Sequence, residues 1–334
     1  MKQVVNYEIS QVIIMGAGIS GLAAYRTLKM SGIRARVLEK SRGCGGRAAT
    51  RRENGFVADL GAQFTAISRG DFKELLHMQG ESVVAIAGSH GSGRHPRYVH
   101  RDGMSALVKS LLVDLDSVSD LLFFSRLQTI CYLPGAPDSG PIWELVLESG
   151  ETLRSEALLF TAPIPQSLEI FKRSGLELAH HDFETLRKIQ YSPCFALVVE
   201  VDPNNLPSSV LSKLPIWKNP SHASGPWSLA HWDDSDEIVV SELLSELCAI
   251  LSYCETEHTL QSRVLHRWRF AETSTLLDRD CWELYFLKAD CPPLLLAGDA
   301  FTRSSVEGAF ASEVAAGVRL RELMLDKNYG DQRL

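Results

Sequence analysis

Val12-Ile13-Ile14-Met15-Gly16-Ala17-Gly18-Ile19-Ser20-Gly21 is a short apolar run that closes in Gly-x-Gly-x-x-Gly. A helical pattern of Leu22, Ala23, Ala24, Tyr25 and Leu28 follows it, then a second apolar run at 35–38 that stops at Glu39. Strand, glycines, helix, second strand and terminal acid at this spacing make a βαβ unit built to hold a dinucleotide. Gly16 permits the tight turn, Gly18 lets the backbone approach a pyrophosphate, and Gly21 lets helix and strand pack closely. Ala17 and Ser20 lie in the same turn, where the helix N-terminus offers N–H groups and a positive dipole end to phosphates. Glu39 is placed to accept hydrogen bonds from both ribose hydroxyls.

The rest of the chain narrows the class. Its 334 residues suit one large domain or two intimate ones, with 45% apolar and 22% charged residues. A formal charge of −7 argues against a nucleic-acid surface. No apolar run reaches membrane-span length, and the polar residues Asn6, Glu8, Ser10 and Gln11 interrupt the N-terminal segment. A cytoplasmic protein with no membrane partner is the expectation. The seven cysteines form no Cys-x-x-Cys pair and, like the ten histidines, show no metal spacing.

After Glu39, the stretch Lys40-Ser41-Arg42-Gly43-Cys44-Gly45-Gly46-Arg47 is rich in glycine and positive charge. Gly46 allows close approach to a ligand, and Arg47 can pair with a phosphate. Gly61-Ala62 gives a narrow backbone passage, with Gln63 and Phe64 placed to face a flat ring. Residues 71–79 and 104–112 are predicted helices, 121–124 a short strand leading to Ser125-Arg126-Leu127, and 142–148 with 152–160 a hairpin. Residues 88–97 are a loop in which Arg94, His95 and Arg97 could meet an anion.

From 166 the character changes. Helical stretches at 167–173 and 183–189 precede strands at 195–201 and 227–232 and a helix at 236–252. This is the pattern of a mostly antiparallel α+β lobe with one covering helix, and it carries Trp217, Trp227, His231-Trp232 and His266-Arg267-Trp268-Arg269-Phe270. The chain closes with a buried strand ending in Ala297-Gly298-Asp299 and a helix beginning near Val306. Asp299 is placed to bind sugar hydroxyls, and the helix start to stabilise negative charge. The expected fold is therefore α/β. A Rossmann-type, mostly parallel domain comprises residues 1–66, 98–165 and 290–334, and a substrate lobe comprises 67–97 and 166–289.

Gly16–Gly21 with Glu39, Gly45-Gly46-Arg47 and Ala297-Gly298-Asp299 together resemble the FAD-dependent amine-oxidase-like flavoproteins. The stretches Gly61-Ala62-Gln63-Phe64-Thr65-Ala66, Thr161-Ala162-Pro163-Ile164-Pro165-Gln166 and His266-Arg267-Trp268-Arg269 are similar to the bacterial renalase family, over nearly the full chain. The resemblance implies non-covalent FAD, contacted at the positions above and at Lys40 and Leu127. It implies oxidation of a small dinucleotide substrate, the 2- or 6-dihydro isomers of NAD(P), to NAD(P)⁺, with O₂ reoxidising the flavin to give hydrogen peroxide. It places His231 and Trp268 near the flavin ring, and Trp217 less firmly. Hydride transfer needs ring stacking and exclusion of water rather than a nucleophile or metal. The chain also lacks a second Gly-x-Gly-x-x-Gly and a redox cysteine pair. Three rival readings are an FAD-dependent amine oxidase with a cage drawn from Trp217, Trp232 and Trp268, a non-catalytic FAD-binding protein, and a desaturase or isomerase on an apolar substrate.

Overall fold

The computed structural model describes residues 9–53, 56–66, 68, 70–86, 96–113, 115, 117, 119–135, 140–201, 221–251, 260–287 and 291–325. A sheet of eight strands carries the molecule. Its main path runs β15 (Trp282–Glu283), β16 (Leu294–Leu296), β11 (Thr152–Phe160), β1 (Ile9–Met15), β2 (Ala35–Leu38) and β8 (Leu121–Leu122). Neighbours from β16 to β8 are parallel, and β15 is antiparallel to β16. Strands β9 (Leu127–Leu133) and β10 (Ile142–Leu147) extend the sheet antiparallel from β11, which contains the predicted hairpin.

Both faces of this sheet are covered, which explains the uninterrupted apolar runs in β1, β11 and β16. Val12, Ile14, Val37, Leu159 and Leu295 face one core, shared with α1 (Ile19–Met30), α3 (Met104–Lys109) and α8 (Val306–Leu325). Ile13, Met15, Leu158, Phe160, Leu294 and Leu296 face the other, with Phe171 of α4 (Ile164–Arg173) and Leu186 of α5 (His180–Leu186). The expected boundary at residue 166 therefore falls inside α4, a helix packed on the large sheet.

A second, three-stranded antiparallel sheet has the order β13 (Ser221–His222), β12 (Tyr191–Val201), β14 (Leu260–Thr273). Alternation gives it two distinct faces. Phe195 and Leu197 point outward and pack with Trp227 and Trp232, with Val239 and Leu243 of α7 (Asp236–Leu251), and with Leu265. Val198, Val264 and Trp268 point inward onto Ala58 and Leu60. Ala58 belongs to β4 (Phe56–Asp59), which pairs with β3 (Thr50–Glu53). A small sheet of β5 (Thr65–Ala66), β7 (Arg97–His100) and β6 (Val83–Ala85), next to α2 (Gly70–Met78), completes the chain.

Two local expectations are corrected. Residues 227–232 were expected as a strand, but Gly225–Ala230 is a helix, α6. The Ser224 hydroxyl accepts the Trp227 N–H at its N-cap and Pro226 sits in the first turn, a start signal that outweighs the aromatic content. The strand at 121–124 stops at Leu122, because Phe124 turns the backbone to φ +54° and leaves its ring exposed.

Candidate functional site

The dinucleotide cradle lies at the C-terminal ends of β1 and β2, where the loop after β1 feeds α1. Gly16 has φ +111°, and its N–H bonds the Leu38 carbonyl at 2.8 Å. A Cβ on Gly21 would lie 1.8 Å from the Gly16 carbonyl oxygen, so helix and turn fit only with glycine there. At Gly18, by contrast, a Cβ would find only the Gly46 Cα, at 3.9 Å. Gly18 caps α1 without any side-chain hydrogen bond to the first turn. An uncapped helix start of this kind has the geometry that suits an anion. Gly45 donates to the Ala17 carbonyl at 2.9 Å, which draws the Gly45-Gly46 loop against the turn.

The buried Glu39 closes the side of the cradle. Its carboxylate accepts the Ala17 N–H at 2.9 Å and the Ser41 N–H at 2.7 Å, leaving lone pairs for ribose hydroxyls. The Ser125 N–H bonds the Glu39 carbonyl, so the buried Leu127 follows directly alongside, while Lys40 is exposed at the rim.

Arg47 and Asp299, read separately from the sequence, meet each other. The guanidinium forks onto the carboxylate at 2.8 and 2.6 Å across 252 residues. Thr273 of β14 donates to the same carboxylate at 2.9 Å, and Arg47 also reaches the Ala271 carbonyl at 3.4 Å. Arg47, expected to meet a phosphate, is also one half of this pair, which ties the first loop, the last strand and the second sheet together. The start of α8 also differs from a bare positive helix end. Val306 opens the helix, and the buried Glu307 in its first turn accepts hydrogen bonds from the Ser68 N–H at 2.6 Å, the Ser68 hydroxyl and Arg303.

Between cradle and second sheet runs the segment Leu60-Gly61-Ala62-Gln63-Phe64. The Ala62 N–H bonds the Arg47 carbonyl at 2.8 Å, and a Cβ on Gly61 would stand 1.8 Å from that carbonyl oxygen. The Phe64 ring lies under the Arg97 guanidinium at 4.3 Å. Of the other basic groups expected in that loop, Arg94 and His95 lie outside the described residues.

The inward face of the second sheet meets this segment. Trp268 donates its indole N–H to the Leu60 carbonyl at 2.7 Å, and His222 Nε2 lies 3.2 Å from the same oxygen. His266 packs edge-on against Trp268, with ring centroids 4.4 Å apart. Register places His222, Ala196 and His266 in one row and Cys194 beside Trp268 in the next. Burial pushes His222 and His266 below the ordinary 6.5, with Arg51 adding to the shift at His266, so both imidazoles are neutral at neutral pH. Burial likewise pushes the Cys194 thiol up to about 11, which makes it inert.

His231 is not among these groups. It caps the C-terminus of α6 on the outward side, stacks on Trp227 at 4.2 Å, and bonds Asp234 at 2.8 Å. The sheet separates it from Trp268, so the pairing expected for these two residues is corrected: they occupy opposite faces. Trp232 shares the outward face, and Trp217 lies outside the described residues. His222 was missed because a two-residue strand carries no periodic signal. His266 was visible beside Trp268, but only register shows that the two share a face.

A family model described as an NAD(P)-binding Rossmann-like domain matches residues 14–78. Mitochondrial protoporphyrinogen oxidase of Nicotiana tabacum is 31% identical over 36% of this chain and 23% of its own length. A protein of Drosophila melanogaster named as a possible lysine-specific histone demethylase 1 is 37% identical over 26% of this chain and 10% of its own. The chain thus spans under a quarter of these two relatives. Renalase of Mus musculus is 21% identical over 92% of this chain and 97% of its own length. A crystal structure from Exiguobacterium sp. 255-15, provisionally assigned as a protoporphyrinogen oxidase, shares the fold. Its TM-score is 0.66 at 14% identity, and the match covers 95% of this chain and all of that one.

The chain is similar to amine-oxidase-like flavoproteins, and the dinucleotide that its cradle fits is FAD. The residues fit that cofactor: an uncapped helix start for the pyrophosphate, Glu39 for the ribose, and open space above Gly18. One likeness that runs nearly the full length is to renalase of Mus musculus. Among the described residues no three side chains group as a metal site, and no helix is long and apolar enough to cross a membrane.

Proposed function

We propose that this chain oxidises dihydronicotinamide dinucleotides of the 2- and 6-dihydro type to NAD(P)⁺, passing the hydride to FAD and its electrons on to O₂ as hydrogen peroxide. The observation that carries the reading is the chemistry of the inward face: an indole, a neutral imidazole and an inert thiol, each half-buried, with the more exposed imidazole of His222 beside them, over a glycine passage. When bound, FAD supplies the two-electron acceptor. The chain's own residues supply a flat aromatic wall. Trp268, fixed by its bond to Leu60, offers a face for an aromatic substrate ring. His222 and His266, being neutral, do not repel the positively charged nicotinamide product. No side chain has to remove a proton, because the hydride leaves from carbon and product aromaticity drives the step. The full-length likeness to renalase supports this substrate class.

An amine oxidase fits less well. Of the three tryptophans that could form its cage, Trp232 lies on the outward face, so among the described residues Trp268 is the one tryptophan turned inward. The test is product formation. The FAD-loaded protein, supplied with air and 2- or 6-dihydro-NAD(P), should yield NAD(P)⁺ and hydrogen peroxide in equal amounts, and primary amines should yield none. Peroxide from amines alone would overturn the assignment.

A further inference from the structure

Among the described residues, Glu313 is a carboxyl that is costly to bury. It is 0% exposed, and neither carboxyl oxygen has a hydrogen-bond partner. It lies on α8, one turn before Gly317. A Cβ on Gly317 would touch Thr27 at 2.9 Å and the Ala24 carbonyl at 3.4 Å, so this face of α8 packs directly on α1. Ser20, one turn before Ala24, faces Glu313 from the first turn of α1, outside formed hydrogen-bond geometry. The two helices therefore run parallel, and the carboxyl sits level with the backbone N–H groups of the cofactor cradle.

We propose that Glu313, fully buried without a hydrogen-bond partner beneath the phosphate-binding turn of α1, is a positioning residue whose charge sets how tightly the dinucleotide is held. The geometry gives it two roles. As an acid it supplies an O–H beside the Ser20 hydroxyl, so the floor of the phosphate site presents donors. As a carboxylate it would put a negative charge beneath a dianionic pyrophosphate, in a medium that screens poorly. Burial raises its pKa well above the ordinary value, and the Ser20 hydroxyl opposes that only in part. The other titratable neighbour is the Cys281 thiol, pushed up to about 11 by burial and next by Glu313, with Asp280 and Glu283 adding to the shift and Arg319 opposing it. Bound FAD and ionised Glu313 oppose each other, so by linkage FAD binding weakens as pH rises through the titration of this acid.

The inference rests on FAD as cofactor and is independent of the substrate. The test is FAD affinity from about pH 6 to about pH 9.5, read by flavin fluorescence, with circular dichroism to follow folding. In the wild-type protein the FAD dissociation constant should rise on the order of tenfold per pH unit once Glu313 ionises. Glu313→Gln, which keeps size and a donor but cannot ionise, should bind FAD nearly as tightly at low pH and lose the rise. ADP, which carries the pyrophosphate without the flavin, should show the same contrast. A wild-type affinity that is flat with pH, or a rise that survives in Glu313→Gln, overturns the proposal. Failure to bind FAD at any pH overturns the cofactor assignment with it.

Discussion

Replacing Gly61 by alanine tests how closely the cofactor groove and the second sheet are fitted. The added methyl would sit 1.8 Å from the Arg47 carbonyl oxygen, and Trp268 Cζ2 stands 3.4 Å away from it. The segment cannot relax toward Arg47, and moving away presses on the indole. Relief requires a shift of roughly 1.5 Å, since close-packed interiors leave no slack. Such a shift breaks the Ala62–Arg47 bond at 2.8 Å and strains the Trp268–Leu60 bond at 2.7 Å. Overpacking costs about 1–3 kcal/mol, and each lost hydrogen bond adds about 1 kcal/mol. The sum is a loss of roughly 2–5 kcal/mol, measured by urea denaturation of the FAD-loaded protein with the m-value held in view. Gly70→Ala, where a Cβ meets nothing within 4 Å, is the control and should lie within about 1 kcal/mol of wild type. A Gly61→Ala protein within about 0.5 kcal/mol of wild type would refute the reasoning, because ordinary surface changes fall in that range.

Asp299→Asn should destabilise by about 3 kcal/mol, because it leaves the Arg47 guanidinium without its buried counter-charge. A double-mutant cycle with Arg47→Met should return a coupling well above that of an exposed pair such as Arg187–Glu184. His222 and His266 are held below 6.5 in the folded chain, so the unfolded chain binds more protons as pH falls through that value. Stability should drop progressively below about pH 6.5, and the double variant His222→Gln/His266→Gln should flatten that limb of the denaturation profile. His231→Gln should leave flavin reduction within about twofold of wild type, whereas Trp268→Ala, which deletes an indole from the inward wall, should slow it by at least about tenfold. Rapid-mixing rates under matched FAD saturation decide between the two residues.

The βαβ unit was legible because each part carries its own local signal: apolar strands, three glycines and an acid at a fixed distance. The parallel sheet followed from apolar runs buried on both faces, as in β1 and β11. What the sequence could not convey was mutual placement. Arg47 and Asp299 both point to cofactor chemistry, yet nothing local says that they bond each other across 252 residues. His231 and Trp268 both sit among aromatics, and only the packing of α6 on the outward face, against the register of Trp268 on the inward one, sets them apart. Helix α6 was hidden because Trp227–His231 has strand-like composition, although Ser224 and Pro226 ahead of it are helix-start signals. Glu313 has the pattern of an ordinary polar position, and its burial emerges only when α8 lies on α1.

The proposed role of the wall around Trp268 is to present a dihydronicotinamide ring to FAD. Its most direct test is anaerobic rapid mixing of the oxidised, FAD-loaded protein with purified 6-dihydro-NAD, 2-dihydro-NAD and a panel of primary amines, following flavin absorbance. The expected result is stoichiometric bleaching by at least one dihydronicotinamide isomer, with release of NAD⁺, and no bleaching by amines. A flavin that stays oxidised with every dihydronicotinamide, or that only an amine reduces, would contradict it.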